Sequence, residues 1–199
     1  MSVENKIDIS SSIPSLGEKG WTLFIDRDGV VNHEKEDDYI LNVSEFSLYD
    51  GVADAMKILS PYFELIVMVT NQRGIGKGLM TIDDLSEIHD YMLQKIEENG
   101  GRINKIYFCP DINDDSLDRK PNPGMALRAK KDFPQIDFSK SIMVGNRKSD
   151  MQFGRNAGMQ TVFLATTHPE TAYPDPLIDL KFDNLLNFAR YMQQESDKI

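Results

Sequence analysis

One cysteine, Cys109, stands among 199 residues, so no intrachain disulfide can form and a reducing compartment suits the chain. No apolar run is long enough to span a membrane. The N-terminal stretch MSVENKIDISSSIPSLGEKG lacks the apolar core of a signal peptide. These absences lead us to expect a cytoplasmic protein. Basic residues are also scarce: 22 Lys and Arg stand against 32 Asp and Glu, a formal net charge of -10. That balance argues against unspecific binding to nucleic acid or an anionic membrane, while leaving room for a local basic pocket. His33, His89 and His168 share no metal-ligand spacing, and they read as surface or core residues. The sequence carries no signal of oligomeric state.

What is present is ordinary for a globular domain, with 40% hydrophobic and 27% charged residues. We expect one domain over 19–192, flanked by a flexible N-terminal segment, 1–18, and a flexible tail, 193–199. Short apolar runs read as strands at Trp21–Asp26, Leu65–Thr70, Lys105–Cys109, Ser141–Val144 and Thr161–Leu164. They are nearly continuous in Ile, Val, Phe and Met, as strands buried on both faces of a parallel sheet must be. Helical spacing falls between them, at about 51–60, 123–132, 149–157 and 183–193. A further helix opens at Thr81, with Asp84 completing a capping pair, and closes at Gly100–Gly101. The alternation predicts a Rossmann-like α/β sandwich of three layers around a central parallel sheet. Residues 29–50 fit no helix and read as a loop or flap beside the first strand.

In such sheets ligands sit beyond the carboxyl ends of the strands. The first strand ends in Asp26-Arg27-Asp28-Gly29 and the second in Thr70-Asn71-Gln72, followed by RGIGKG. Arg119-Lys120-Pro121 follows the third, and Gly145-Asn146-Arg147-Lys148-Ser149-Asp150 the fourth. Oxygens of Asp26, Asp28, Asn146 and Asp150 have the hard character that Mg2+ prefers. Thr70, Asn71 and Lys120 offer donors for phosphate oxygens. Alone, Asp-Arg-Asp-Gly is most simply a solvated turn, and GIGKG a flexible loop rather than a phosphate cradle. The stretch DINDDSLD is close to a calcium loop, but Ser116 replaces the required glycine and Asn122 stands where a glutamate is needed.

The ordered set DRDGVVN, VTNQRGIGKG, RKPNPGM and VGNRKSDM resembles the four motifs of the haloacid-dehalogenase-like (HAD-like) phosphatases. The resemblance covers about residues 21–165. It is strongest to the branch without a large cap domain, which contains D-glycero-D-manno-heptose 1,7-bisphosphate phosphatase and histidinol phosphatase. It implies Asp26 as the nucleophile forming an aspartyl-phosphate, and Asp28 as general acid and then base. Thr70 and Asn71 would bind phosphate, Lys120 would neutralise charge, and Arg119 and Arg147 would meet the substrate. Mg2+ would be held by Asp26, Asp28, Asn146 and Asp150. Arg27 would point the opposite way along the strand, leaving the two carboxylates on one side.

Two departures from the family pattern stand out. Asn146 replaces the usual aspartate of a Gly-Asp pair, which predicts weaker metal binding. A zinc loop of three cysteines and a histidine is reduced to Cys109, with Asp111 at the histidine position, so no structural zinc is expected. The favoured activity is Mg2+-dependent hydrolysis of a small phosphorylated metabolite, foremost a heptose 1,7-bisphosphate. Histidinol phosphate is the alternative substrate. A non-catalytic phosphate binder and a polynucleotide 3′-phosphatase are rivals, the last opposed by the acidic charge. Without a large cap, specificity must come from the 29–50 flap and the 110–119 loop.

Overall fold

A computed structural model describes residues 13–36 and 38–196. Six parallel strands form one sheet: β1 (Thr22–Ile25), β2 (Leu65–Asn71), β3 (Lys105–Cys109), β4 (Ser141–Gly145), β5 (Gln160–Leu164) and β6 (Leu180–Phe182). Their order is β3-β2-β1-β4-β5-β6. The chain runs outward from β1 to one edge, returns, and runs to the other, so β1 lies at the point where the winding reverses.

The strand residues divide by parity, because successive side chains point to opposite faces. Leu23, Ile25, Ile66, Met68, Ile142 and Val144 enter one core. Phe24, Leu65, Val67, Val69 and Met143 enter the other. The first core is covered by α1 (Val52–Leu59), α3 (Ile82–Glu98) and α6 (Leu185–Ser196), through buried residues such as Met56, Met92 and Phe188. The second is covered by α4 (Gly124–Asp132) and α5 (Lys148–Ala157), through Met125, Ala126 and Phe153. Each fully buried large apolar side chain contributes roughly 1.5–3 kcal/mol.

The α3 helix begins as its sequence predicts. Thr81 Oγ1 accepts from Asp84 N at 3.1 Å, and Thr81 N donates to Asp84 Oδ2 at 2.8 Å. Its end uses Gly100 at φ +87°, with Gly101 N donating to Ile96 O at 3.0 Å. Residues 29–36 and 38–50 form the expected loop, fastened by a bridge between Asn32 and Leu48 and by one short turn, Val43–Glu45. Among the described residues no insertion folds as a separate cap.

Some features depart from the expectations. Strand β6 and the four-residue α2 (Arg73–Gly76) were not anticipated. The last helix continues to Ser196 rather than giving way to a tail at 193. Ile13 is buried in the core, and Leu16 N donates to Ser196 Oγ at 3.1 Å, so part of the segment expected to be free is fastened to the domain, while Leu16 to Glu18 stay exposed. The rest of the two expected flexible ends, 1–12 and 197–199, lies outside the described residues.

Candidate active site

A cavity of about 580 Å³ opens beyond the carboxyl ends of the strands. Asp26, Asp28, Thr70, Asn71, Arg119, Lys120, Arg147 and Asp150 all line it, although they come from four separate chain segments. Asn146 does not line it. That side chain lies behind the cavity, fully buried.

Asp26 follows β1 directly, and its backbone N–H continues the ladder by donating to Val144 O at 3.0 Å. Its Oδ1 accepts from Arg27 N at 2.7 Å and from Lys120 Nζ at 2.7 Å. Both bonds use Oδ1, which leaves Oδ2 for chemistry. The Lys120 ammonium also meets Asp150 Oδ1 at 2.8 Å and Val69 O at 2.9 Å. All three of its hydrogens are therefore used, as a buried ammonium requires. Burial lowers the affinity of Lys120 for its proton, but Asp150 and Asp26 outweigh burial and hold the lysine charged. Burial pushes the Asp26 carboxyl up to about 7, with Lys120 opposing and Asp150 reinforcing the rise.

Asp28 is held differently. Arg27 Nη2 donates to its two oxygens at 2.9 and 3.0 Å, Asn32 Nδ2 to Oδ1 at 3.0 Å, and Gln72 Nε2 to Oδ2 at 2.9 Å. Burial raises its pKa, but Arg27, Asn32 and Gln72 prevail and hold the carboxyl below its usual range. Arg27 itself is buried, and its Nη1 lies 3.3 Å from His89 Nε2 on α3. Its side chain thus runs toward the α3 layer, as strand parity predicts, while its guanidinium reaches back to Asp28.

Thr70 Oγ1 accepts from Gln72 Nε2 at 2.9 Å, so its own hydrogen is free for a ligand. Asn71 behaves otherwise than expected. Its amide exchanges two bonds of 3.1 Å with the Lys120 backbone, which makes the side chain a brace for the lysine loop. Arg147 is held by Glu34 through bonds of 3.1 Å to each carboxylate oxygen. Burial works against the Arg147 charge, yet Glu34 raises its pKa above the ordinary value. Arg119 Nε donates to Asp114 Oδ1 at 2.9 Å, and Arg73 pairs with the same carboxylate.

Sequence reasoning passed over Gln72, Arg73, Glu34 and Asp114. Gln72 and Arg73 belonged to a quoted motif without a role, whereas Glu34 and Asp114 sit in the two loops named for specificity, where neither residue was singled out.

The donors suit a hard cation in part. Asn146 Oδ1 is buried without a hydrogen-bond partner, while its Nδ2 donates to Thr167 Oγ1 at 2.8 Å. An orphaned, buried amide oxygen packed against the Gly29 turn fits a metal ligand. Even so, no three His, Cys, Asp or Glu side chains converge as a ready-made metal site among the described residues. Lys120 stands between Asp26 and Asp150, and the Asp28 carboxylate is occupied by Arg27.

Residues 117–176 match the family model described as HAD-hydrolase-like. The D-glycero-alpha-D-manno-heptose-1,7-bisphosphate 7-phosphatase of Burkholderia mallei is 37% identical over 154 residues, 73% of this chain and 80% of that protein. The beta-anomer 7-phosphatase of Neisseria meningitidis is 32% identical over 180 residues, 87% of this chain and 95% of that one. Among solved structures, the D,D-heptose bisphosphate phosphatase of B. bronchiseptica, complexed with magnesium and phosphate, has a TM-score of 0.80 at 27% identity. That likeness covers 88% of this chain and 99% of that one. With relatives so similar over most of their length, a cavity at the reversal of the sheet and a carboxylate pair at its floor, the chain belongs to the HAD-like phosphatases, in the group of the heptose bisphosphate phosphatases.

Proposed function

We propose that the protein removes the 7-phosphate of D-glycero-D-manno-heptose 1,7-bisphosphate through an aspartyl-phosphate on Asp26. The observation that carries this reading is the buried Lys120 ammonium shared by Asp26 and Asp150 at the base of the cavity. A fixed cation there offsets the repulsion between a carboxylate nucleophile and a phosphate dianion. The relatives' activity supplies the choice of sugar and of the scissile phosphate.

Asp26 Oδ2 attacks phosphorus, and the bond from phosphorus to the sugar oxygen breaks. The Thr70 hydroxyl donates to a phosphate oxygen as charge develops. The departing alkoxide takes a proton from Asp28, which afterwards removes one from water as that water releases inorganic phosphate from Asp26. The paired, ionised Asp28 described above is in the form that acts as base. To act as acid it must exchange the Arg27 contact for a proton. Bound Mg2+ would supply the positive charge that draws nucleophile and phosphate together. Asp26, Asp150 and Asn146 Oδ1 would hold it, while the Asp28 carboxyl, once free of Arg27, carries the proton for the leaving group.

No helix among the described residues is long and apolar enough to cross a membrane. A cytoplasmic setting is supported by the lone, buried Cys109. A second reading, phosphate binding without turnover, is favoured by one observation, the amide at Asn146 in place of a charged ligand. Phosphate release from heptose 1,7-bisphosphate and from histidinol phosphate, with Mg2+ and with chelator, separates the readings. Chelator-sensitive release from the heptose alone, lost in Asp26→Asn, is the expected result. Binding of the sugar with no release would leave the second reading.

A further inference from the structure

Two arginines on the cavity rim share one exposed carboxylate. Arg73, on α2 directly after the Thr70-Asn71-Gln72 turn, and Arg119, just before Lys120, both pair with Asp114. All three residues line the cavity that holds Asp26 and Asp28. The arginine side chains are 27% and 13% exposed, whereas that of Asp114 is 82% exposed. The guanidinium groups thus belong to the wall, and the carboxylate lies over them from the solvent side. Arg73 Nε is buried without a hydrogen-bond partner, so the pair has donor capacity that Asp114 does not use.

We propose that Arg73 joins Arg119, the substrate contact that the family resemblance implies, in a clamp for the phosphate that is not cleaved, and that Asp114 is an internal carboxylate that occupies the clamp until substrate displaces it. The inference rests on the bisphosphate reading above and names the subsite for the second phosphate. Two guanidinium charges against one carboxylate leave an excess of positive charge, which a phosphate of charge about -1.5 to -2 matches better. Forked donors suit phosphate oxygens in the same way that they suit a carboxylate. Displacement costs little, because an exposed carboxylate regains its water on leaving and exposed ion pairs are weak.

The loop does not need the Asp114 carboxylate to stay in place. Asn122 Nδ2 donates to Asp114 O at 3.3 Å and to Ser116 O at 2.9 Å, and Arg73 Nη2 donates to Ile112 O at 2.9 Å. The other rim arginine is a useful contrast. Arg147 is gripped through both oxygens of Glu34, whose side chain is only 14% exposed, so that pair is a fixed strut rather than a latch.

The test measures binding by calorimetry in the Asp26→Asn background, with Mg2+ present, so that turnover does not intervene. Affinities for heptose 1,7-bisphosphate and heptose 7-phosphate are compared, and their ratio reads the second phosphate alone. Adding Arg73→Gln should lower that ratio at least tenfold, with Arg73→Lys between the two. Adding Asp114→Asn should raise it at least threefold. Unfolding curves confirm that each variant is folded. An unchanged ratio in Arg73→Gln overturns the clamp. An unchanged or lower ratio in Asp114→Asn overturns the latch, making Asp114 a fastener of the arginines. Failure of the proposed function is separately visible as absence of phosphate release by the wild-type protein. No measurable binding of either sugar overturns both.

Discussion

Gly29 and Asn146 touch across the top of the sheet: a Cβ built on Gly29 would lie 1.9 Å from Asn146 Nδ2. Gly29 also has φ +78°, a conformation that side chains make costly. The glycine after the aspartate pair therefore sets the approach of the first strand's turn to the fourth. Gly29→Ala should destabilise the protein by about 1–3 kcal/mol and displace the Asn146 side chain. Denaturant unfolding measures the first effect, and the Mg2+ concentration needed for half-maximal activity, which should rise, measures the second. A variant of wild-type stability and Mg2+ requirement would show that the contact relaxes freely.

Among the described residues, Lys120 is the sole side-chain cation bonded to Asp26 and Asp150. Lys120→Met keeps most of the volume but leaves two buried carboxylates facing each other. Breaking a buried pair in this way costs about 3–5 kcal/mol, reduced to the extent that Asp26, already pushed up to about 7 by burial, takes up a proton instead. A protonated Asp26 is no nucleophile. Activity should fall by roughly 10²–10³ or more, the scale of losing one preorganised charge partner. Retained activity above a tenth of wild type would remove Lys120 from the proposed chemistry.

Strands β1, β2 and β4 were legible because burial on both faces demands nearly unbroken apolar runs. Strand β6 was not: its Leu-Lys-Phe lies at the sheet edge, half-buried, and three residues cannot display a pattern. Helix α2 was hidden for the same reason, being a single turn inside a glycine-rich segment. At the site, the gathering of Asp26, Asp28, Thr70, Lys120 and Asp150 around one cavity was legible from the segments that follow the strands, but their partners were not. The sequence names Asn71 as a donor but cannot show that its amide is spent on the Lys120 backbone. Equally hidden was Arg27 taking hold of Asp28, since strand parity aims the side chain away and only its length brings the guanidinium back.

His89 links stability to pH. Burial and the Arg27 charge depress its pKa from 6.5 to about 3, against a weaker pull from Asp28. Since Arg27 Nη1 can only donate, His89 Nε2 must accept, and the ring is neutral with its proton on Nδ1. A folded pKa below the unfolded one means that the unfolded chain binds the extra proton between about pH 6.5 and 3. This contribution is complete above pH 6.5 and is lost as pH falls through that window. His89→Gln, which keeps an acceptor for Arg27, should flatten the acid side of the stability curve over that range. Urea midpoints at pH 7, 6 and 5 provide the check, and parallel losses in both proteins would assign the acid sensitivity to the carboxylates instead.

Asn146→Asp tests what the amide costs the site. Thr167 Oγ1 accepts from Asn146 Nδ2 at 2.8 Å. An aspartate oxygen could accept from the same hydroxyl with its rotor reversed, so the fold loses no bond. The variant does bring another negative charge to a fully buried position against the Gly29 turn. Without Mg2+ that charge is uncompensated, and the variant should melt below wild type. With Mg2+ it becomes a charged oxygen ligand, and the ion should bind on the order of tenfold tighter, about 1.4 kcal/mol. The Mg2+-induced rise in melting temperature should therefore be larger than in wild type. Equal shifts in the two proteins would falsify the placement of Asn146 Oδ1 among the metal ligands, because a charge added outside the coordination shell would leave the response to the ion nearly unchanged.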